Sequence, residues 1–219
     1  MTTGPARRAG RAATTLLGLL ALPLASCSVV PGADLPPPQL YILSPKSTYD
    51  PGMPATDWQL AIEVPIAEAG LNTARIALRH DPLSLEYFER ANWIDTTPRM
   101  VQTLMVESFE NSKKAAAVGR ASIGLRSDFT LVSELRSFQA EYDGKAAPTV
   151  RVRINVKLIK MPQRTIVGAI SVMRTAPAPG TRMEDVVLAF DDALGKVLRQ
   201  IVDWSLRTLP PPTAKSESG

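Results

Sequence analysis

Cys27 is the only cysteine in this 219-residue chain, and Leu24, Ala25 and Ser26 stand directly before it. Leucine followed by two small residues and a cysteine matches the bacterial lipobox. There a diacylglyceryl group is placed on the thiol, the preceding peptide is removed, and an amide-linked acyl chain such as palmitate is added. A lone thiol cannot close a disulfide within the chain. A lone cysteine is commonly a small buried hydrophobe. Here an apolar run precedes it and a proline-rich stretch follows, so it has no core to enter. Cys27 therefore reads as a lipid-attachment residue. Two acyl signals already anchor a protein stably, and three chains hold it firmly.

The remaining chemistry is thin. Gly119-Arg120-Ala121-Ser122-Ile123-Gly124 resembles a nucleophile elbow but spaces it as GxxSxG rather than GxSxG. His80 is the only histidine and precedes Asp81-Pro82, a turn signal. A serine hydrolase built on Ser122 and His80 is the enzyme-class alternative. An exposed turn histidine and a small-residue loop are the commoner meaning of the same residues. One histidine and one lipid-committed cysteine do not make a zinc or copper site, so no metal or other cofactor is expected. Asp191 and Asp192 are neighbours on a predicted helix and point about 100° apart, which is no carboxylate pair. No glycine loop for phosphates is present, so any ATP hydrolysis belongs to a partner.

Charge on strands is more informative. Arg75 and Arg79 share one side of a predicted strand, and Arg151, Arg153 and Lys157 share one side of another. Such stripes are usually the wet side of a sheet. The sharper meaning is a face that meets an acidic partner. Tyr87, Phe88 and Trp93 cluster between elements, where aromatics serve either core or interface. Arg75, Arg79 and Trp93 are the candidate partner contacts.

Residues 1–26 read as an export signal. Arg7, Arg8 and Arg11 form its basic start, and the 14 residues from Ala12 to Ala25 carry no charge and are rich in leucine. A membrane-spanning helix needs roughly 20 such residues, and Pro23 interrupts the run. Ser28 stands where enteric-type sorting uses Asp to hold lipoproteins at the inner membrane. It therefore points to the periplasmic face of the outer membrane. Residues 27–38 combine the lipidated cysteine with a proline-rich spacer that stands off the lipid surface. Residues 39–209 form the folded domain, and 210–219 a disordered tail. The signal takes three of the 25 basic residues and none of the 21 acidic ones. The remainder is nearly neutral, which gives no electrostatic reason to expect nucleic acid.

The domain reads as α+β, with a mainly antiparallel sheet and two amphipathic helices packed on one face. Short β-type runs fall at 39–43, 58–64, 75–79 and 85–88, with a helical turn at 67–71. A helix opens near Pro98, capped by Thr96 or Thr97, and ends at Ser112 to Lys114. The run from Phe129 to Tyr142 is a long strand whose apolar face switches near Arg136, as a bulge or an edge twist would produce. Asp143-Gly144 turns it into the alternating strand 149–158, and Pro162-Gln163 turns that into 165–174. The longest helix runs from Thr181 or Arg182 to about Leu209.

Placed in order, several runs form a recognisable set. They are Leu71–Arg79, Trp93-Ile94-Asp95, Pro98-Arg99-Met100-Val101, Val118-Gly119-Arg120, Leu125–Phe129, Glu134–Glu141 and Phe190–Gly195. Behind a lipobox and a YxL strand (Tyr41, Leu43), this set resembles the auxiliary lipoproteins of ABC-type transport systems, the PqiC-like family. The resemblance implies a non-enzymatic accessory of a transporter made of an ATPase, a permease and an MCE-domain (mammalian cell entry) protein. Such systems move lipids or other hydrophobic compounds. It further implies docking on the periplasmic substrate-carrying component. A lipid-binding shuttle, with its ligand in a groove between helix and sheet, is the alternative within that class.

Overall fold

The computed structural model describes residues 36–121 and 126–209, so Cys27, Ser122 and both chain ends lie outside the described residues. Nine strands form one sheet. They are β1 (Gln39–Tyr41), β2 (Gln59–Ile62), β3 (Ile66–Ala67), β4 (Arg75–Arg79), β5 (Glu86–Trp93), β6 (Ala117–Arg120), β7 (Phe129–Glu141), β8 (Thr149–Lys160) and β9 (Thr165–Pro177). Two helices, α1 (Thr97–Ser112) and α2 (Met183–Thr208), complete the α+β fold.

β7 is the spine. β8 pairs antiparallel along its whole length, and β9 pairs antiparallel with β8. A strand has two edges, so every other partner of β7 shares the second one. β2, β3 and β4 occupy it in succession, each parallel, opposite Phe129–Leu131, Glu134-Leu135 and Gln139–Glu141. β5 then pairs antiparallel with β4, β1 parallel with β5, and β6 parallel with β2. The longest ladders are antiparallel, and the N-terminal third adds short parallel ones. Segment 67–71, read as a helical turn, begins with part of β3.

The face switch in β7 is a bulge at Arg136, where the register with β8 shifts between Leu135 and Ser137. Before it, Leu131, Ser133 and Leu135 lie opposite Leu158, Val156 and Ile154. After it, Phe138 and Ala140 lie opposite Val152 and Val150. Without the extra residue, alternation would turn one of these sets out to solvent. The bulge sits in a central strand, not at a sheet edge as one alternative supposed.

The buried face of β7 and β8 receives α2, which packs on β8 and β9. α1 packs on β6 and β2, and the helices touch each other. α2 presents Phe190, Leu194, Val197, Leu198 and Ile201 inward, all buried. Pro98 stands in the first turn of α1, as expected. The expected side-chain cap does not form. Thr96 makes no capping bond, and the Thr97 hydroxyl instead donates to the Thr73 carbonyl at 3.0 Å.

Trp93 ends β5 in the middle of this layer. It is 1% exposed, with its ring edge-on to Phe138 (5.8 Å between centres) and Phe190 (5.1 Å). As a candidate partner contact it is therefore corrected: the ring is core and offers no surface.

Candidate functional site

The two basic stripes converge. β4 and β8 flank opposite edges of β7, and in-register residues of adjacent strands project to the same face. Arg79 is in register with Glu141, and Ala77 with Gln139. Across β7, Gln139 is opposite Arg151, Ser137 opposite Arg153, and Val132 opposite Lys157. Arg75 and Arg79 therefore lie on the same side of the sheet as Arg151, Arg153 and Lys157, on the face away from the helices.

Their surroundings differ. Arg151 is held by Glu141, its Nε donating at 2.9 Å to both carboxylate oxygens and its terminal nitrogen lying 2.8 Å from Oε2. Gln139 adds a third donor to Oε1 at 2.9 Å. Burial alone would raise the Glu141 carboxyl. The hydrogen bonds from Arg151 and Gln139, with the charges of Arg151 and Arg79, outweigh it and hold the group below the usual glutamate range. Arg136 pairs with Glu134 on the bulge. Arg75 lies with its guanidinium 3.7 Å from the centre of the Tyr87 ring, a cation–π contact that leaves the charge exposed. The Arg153 Nε donates to the Ser171 hydroxyl at 3.3 Å. Among the described residues, no ion pair joins Arg75, Arg79, Arg153 or Lys157 to an acid. The face is cationic after its internal pairs are set aside.

A depression of about 340 Å³ opens on this face between Arg79, His80, Gln139, Glu141 and Arg151. Beside it stands the β4–β5 hairpin tip. There Asp81 accepts from the Leu83 amide (2.8 Å), the Ser84 amide (3.0 Å) and the Ser84 hydroxyl. These bonds, led by the Ser84 hydroxyl, hold the Asp81 carboxyl below its ordinary value. They fix a tip on which Leu83 is 99% exposed.

The hydrolase alternative names Ser122, which lies outside the described residues. His80 follows β4, whose end is in register with Glu141. His80 meanwhile stacks on Tyr142 with ring centres 4.7 Å apart, and its neighbour Asp81 is engaged by the hairpin tip.

Glu141 and Gln139 were missed as parts of this site. The Asp143-Gly144 turn would not have found them: a two-residue turn there sets Glu141 opposite Ala146, whereas the loop 142–148 sets Glu141 opposite Thr149 and Gln139 opposite Arg151.

Residues 41–202 match the model of the ABC-type transport auxiliary lipoprotein component family. The chain belongs to this family. The fold agrees. A crystal structure of protein XCC0632 from Xanthomonas campestris superposes with a TM-score of 0.74 at 30% identity, covering 78% of this chain and 95% of that one. A second crystal structure, of an uncharacterised protein, reaches 0.60 at 14% identity, with 76% and 97% covered, and supports the fold alone. A curated relative, an uncharacterised protein of Bradyrhizobium diazoefficiens, is 24% identical over 187 residues. That match takes in 84% of this chain, which spans about half the relative's length. The family is described as the auxiliary lipoprotein component of ABC-type transport, and the cationic face is what the described domain turns away from its own helices.

Proposed function

We propose that this auxiliary lipoprotein is a non-enzymatic accessory of an MCE-type ABC transporter for lipids or other hydrophobic substrates. Acylated at Cys27, it stands on the periplasmic face of the outer membrane and docks the substrate-carrying MCE-domain protein; the permease and ATPase complete the system. The observation that carries this reading is the family match over 41–202. Arg75 and Arg79 are the proposed partner contacts, now joined by Arg153 and Lys157 on the same face. Docking is favoured over lipid carriage by the packing between helices and sheet, where a shuttle would need its groove. Trp93, Phe138 and Phe190 fill that layer, each almost fully buried.

The test is co-purification from detergent-solubilised membranes with an MCE-domain protein. Docking predicts a complex without stoichiometric extractable lipid, weakened by Arg75→Glu with Arg153→Glu and by raised salt. Stoichiometric lipid in the isolated protein would establish the shuttle instead. Cys27→Ala should leave an unprocessed, unacylated precursor; an acylated product from that variant would remove the anchor from this account.

A further inference from the structure

The run Gln39-Leu40-Tyr41-Ile42-Leu43 supplies β1 and the two residues after it. Tyr41 and Leu43 turn toward the helices: the Tyr41 hydroxyl lies 3.5 Å from Glu184 of α2, and Leu43 is buried. Alternation sends Leu40 and Ile42 to the opposite side, where they are 57% and 69% exposed. β1 runs parallel to β5 with Tyr41 beside Trp93, and the Ile94 amide donates to the Tyr41 carbonyl at 3.0 Å. Ile94 follows the core-facing Trp93, so it stands on the open side beside Ile42, 58% exposed. Three large aliphatic side chains thus form one patch at the β1 margin of the open face. Exposed apolar residues scattered singly are ordinary, whereas a contiguous group marks a protein or membrane contact. Leu188 is exposed too, but helical spacing sets it among Glu184, Asp191 and Asp192 on α2, outside this patch.

We propose that Leu40, Ile42 and Ile94 rest on the lipid surface that anchors the chain, so that the sheet stands on its β1 edge. The inference rests on acylation at Cys27, proposed above. The occupant follows from the chain. Cys27 stands twelve positions before Gln39, a length that spans at most about 42 Å. Among the strands, β1 is therefore the one held nearest the anchor along the chain. The tether makes contact between patch and lipid an intramolecular step. Three side chains then suffice, although they would not hold a membrane by themselves, because the acyl chains already supply the anchoring. The chemistry agrees, since all three are aliphatic and none brings a charge to the acyl boundary. Docking is left room. Leu40, Asn92 and Arg75 form one row across β1, β5 and β4, which sets Arg75 two strands in from the edge, roughly 10 Å. Arg153 and Lys157 on β8 are four strands in, roughly 19 Å. A sheet standing on β1 holds these cations clear of the lipid, open sideways to a partner on the same membrane.

The test is site-directed fluorescence on the full-length acylated chain in vesicles of phosphatidylethanolamine and phosphatidylglycerol. Cys27 is the one native cysteine. Once acylated it is a thioether and takes no label, so an environment-sensitive maleimide dye reads only an introduced thiol. Ile42→Cys and Ile94→Cys should give blue-shifted emission, quenched by nitroxide-labelled lipid and shielded from iodide. Ile166→Cys, an exposed position on β9 across the sheet from β1, should give the reverse. Adding Leu40→Ser and Ile94→Ser to the Ile42→Cys chain should move the emission at 42 back to that at 166. Positions 42 and 94 that quench like 166 in a vesicle-bound, singly labelled chain overturn the proposal alone. Shielding from iodide without quenching by nitroxide lipid also overturns it, because protein then covers the patch. A second label, taken by Cys27, removes the anchor and this proposal with it.

Discussion

Single side chains on the cationic face trade charge for order. Glu141 is partly buried and stays ionised because Arg151 and Gln139 bond to it. Its folded pKa lies below its unfolded value, so it contributes stability at any pH above the ordinary glutamate range. That contribution is lost as pH falls through the lower folded value. Glu141→Gln should cost about 2 kcal/mol at neutral pH, the scale of a charge-assisted hydrogen bond, and flatten the acid limb of a stability–pH curve. Urea melts between pH 3 and 7 measure both effects. Gly168 is decided by space instead. A Cβ there would lie 2.8 Å from Thr208 Cγ2 and 3.1 Å from the Trp204 ring. Gly168→Ala should lower stability by about 1–2 kcal/mol as α2 is pushed off β9. The readout is a shift of the urea midpoint without a change in slope.

Among the elements, β7 depends on one extra residue. Deleting Arg136 restores strict alternation and turns half of the strand's core set outward, so the deletion variant should not give a cooperative thermal transition. Arg136→Ala keeps the count and removes only an exposed ion pair, so its transition should move by less than about 1 kcal/mol. The bulge was legible because alternation is visible in a 13-residue strand, and the meander β7–β8–β9 was legible for the same reason. The parallel partners of β7 were not. Strands of two to five residues carry a local preference but no information about which edge they will occupy. β6 escaped notice altogether, since AVGR has too few residues to alternate. Trp93 was misplaced because β5 was expected to end at Phe88. The strand continues past Arg90, held at φ 54°, and that irregularity re-aims Ala91 and Trp93 into the core. Nothing in the residue type announces a positive φ at an arginine. At the candidate site, both arginine stripes were readable one strand at a time. Their meeting on a single face follows from β7 lying between them, which is a property of topology.

The described domain has two unlike faces. Helices cover one, and arginines with their partners line the other. Arg75 and Arg153 are both exposed, so reversing them should leave the thermal midpoint within a few degrees of the parent while changing salt-dependent association. Calorimetry on the double variant separates a lost contact from a lost fold. The tiling of one β7 edge by β2, β3 and β4 also dictates an order of events during synthesis. Those strands emerge about 60–70 residues before the backbone groups they must pair with. They wait exposed until Phe129–Glu141 arrives, whereas β7, β8 and β9 need only their neighbours. Contacts so distant along the chain slow folding. A fragment stopping at residue 121 should show no stable sheet by circular dichroism. The N-terminal half thus carries unpaired strand edges, open to wrong pairing, until the spine is delivered.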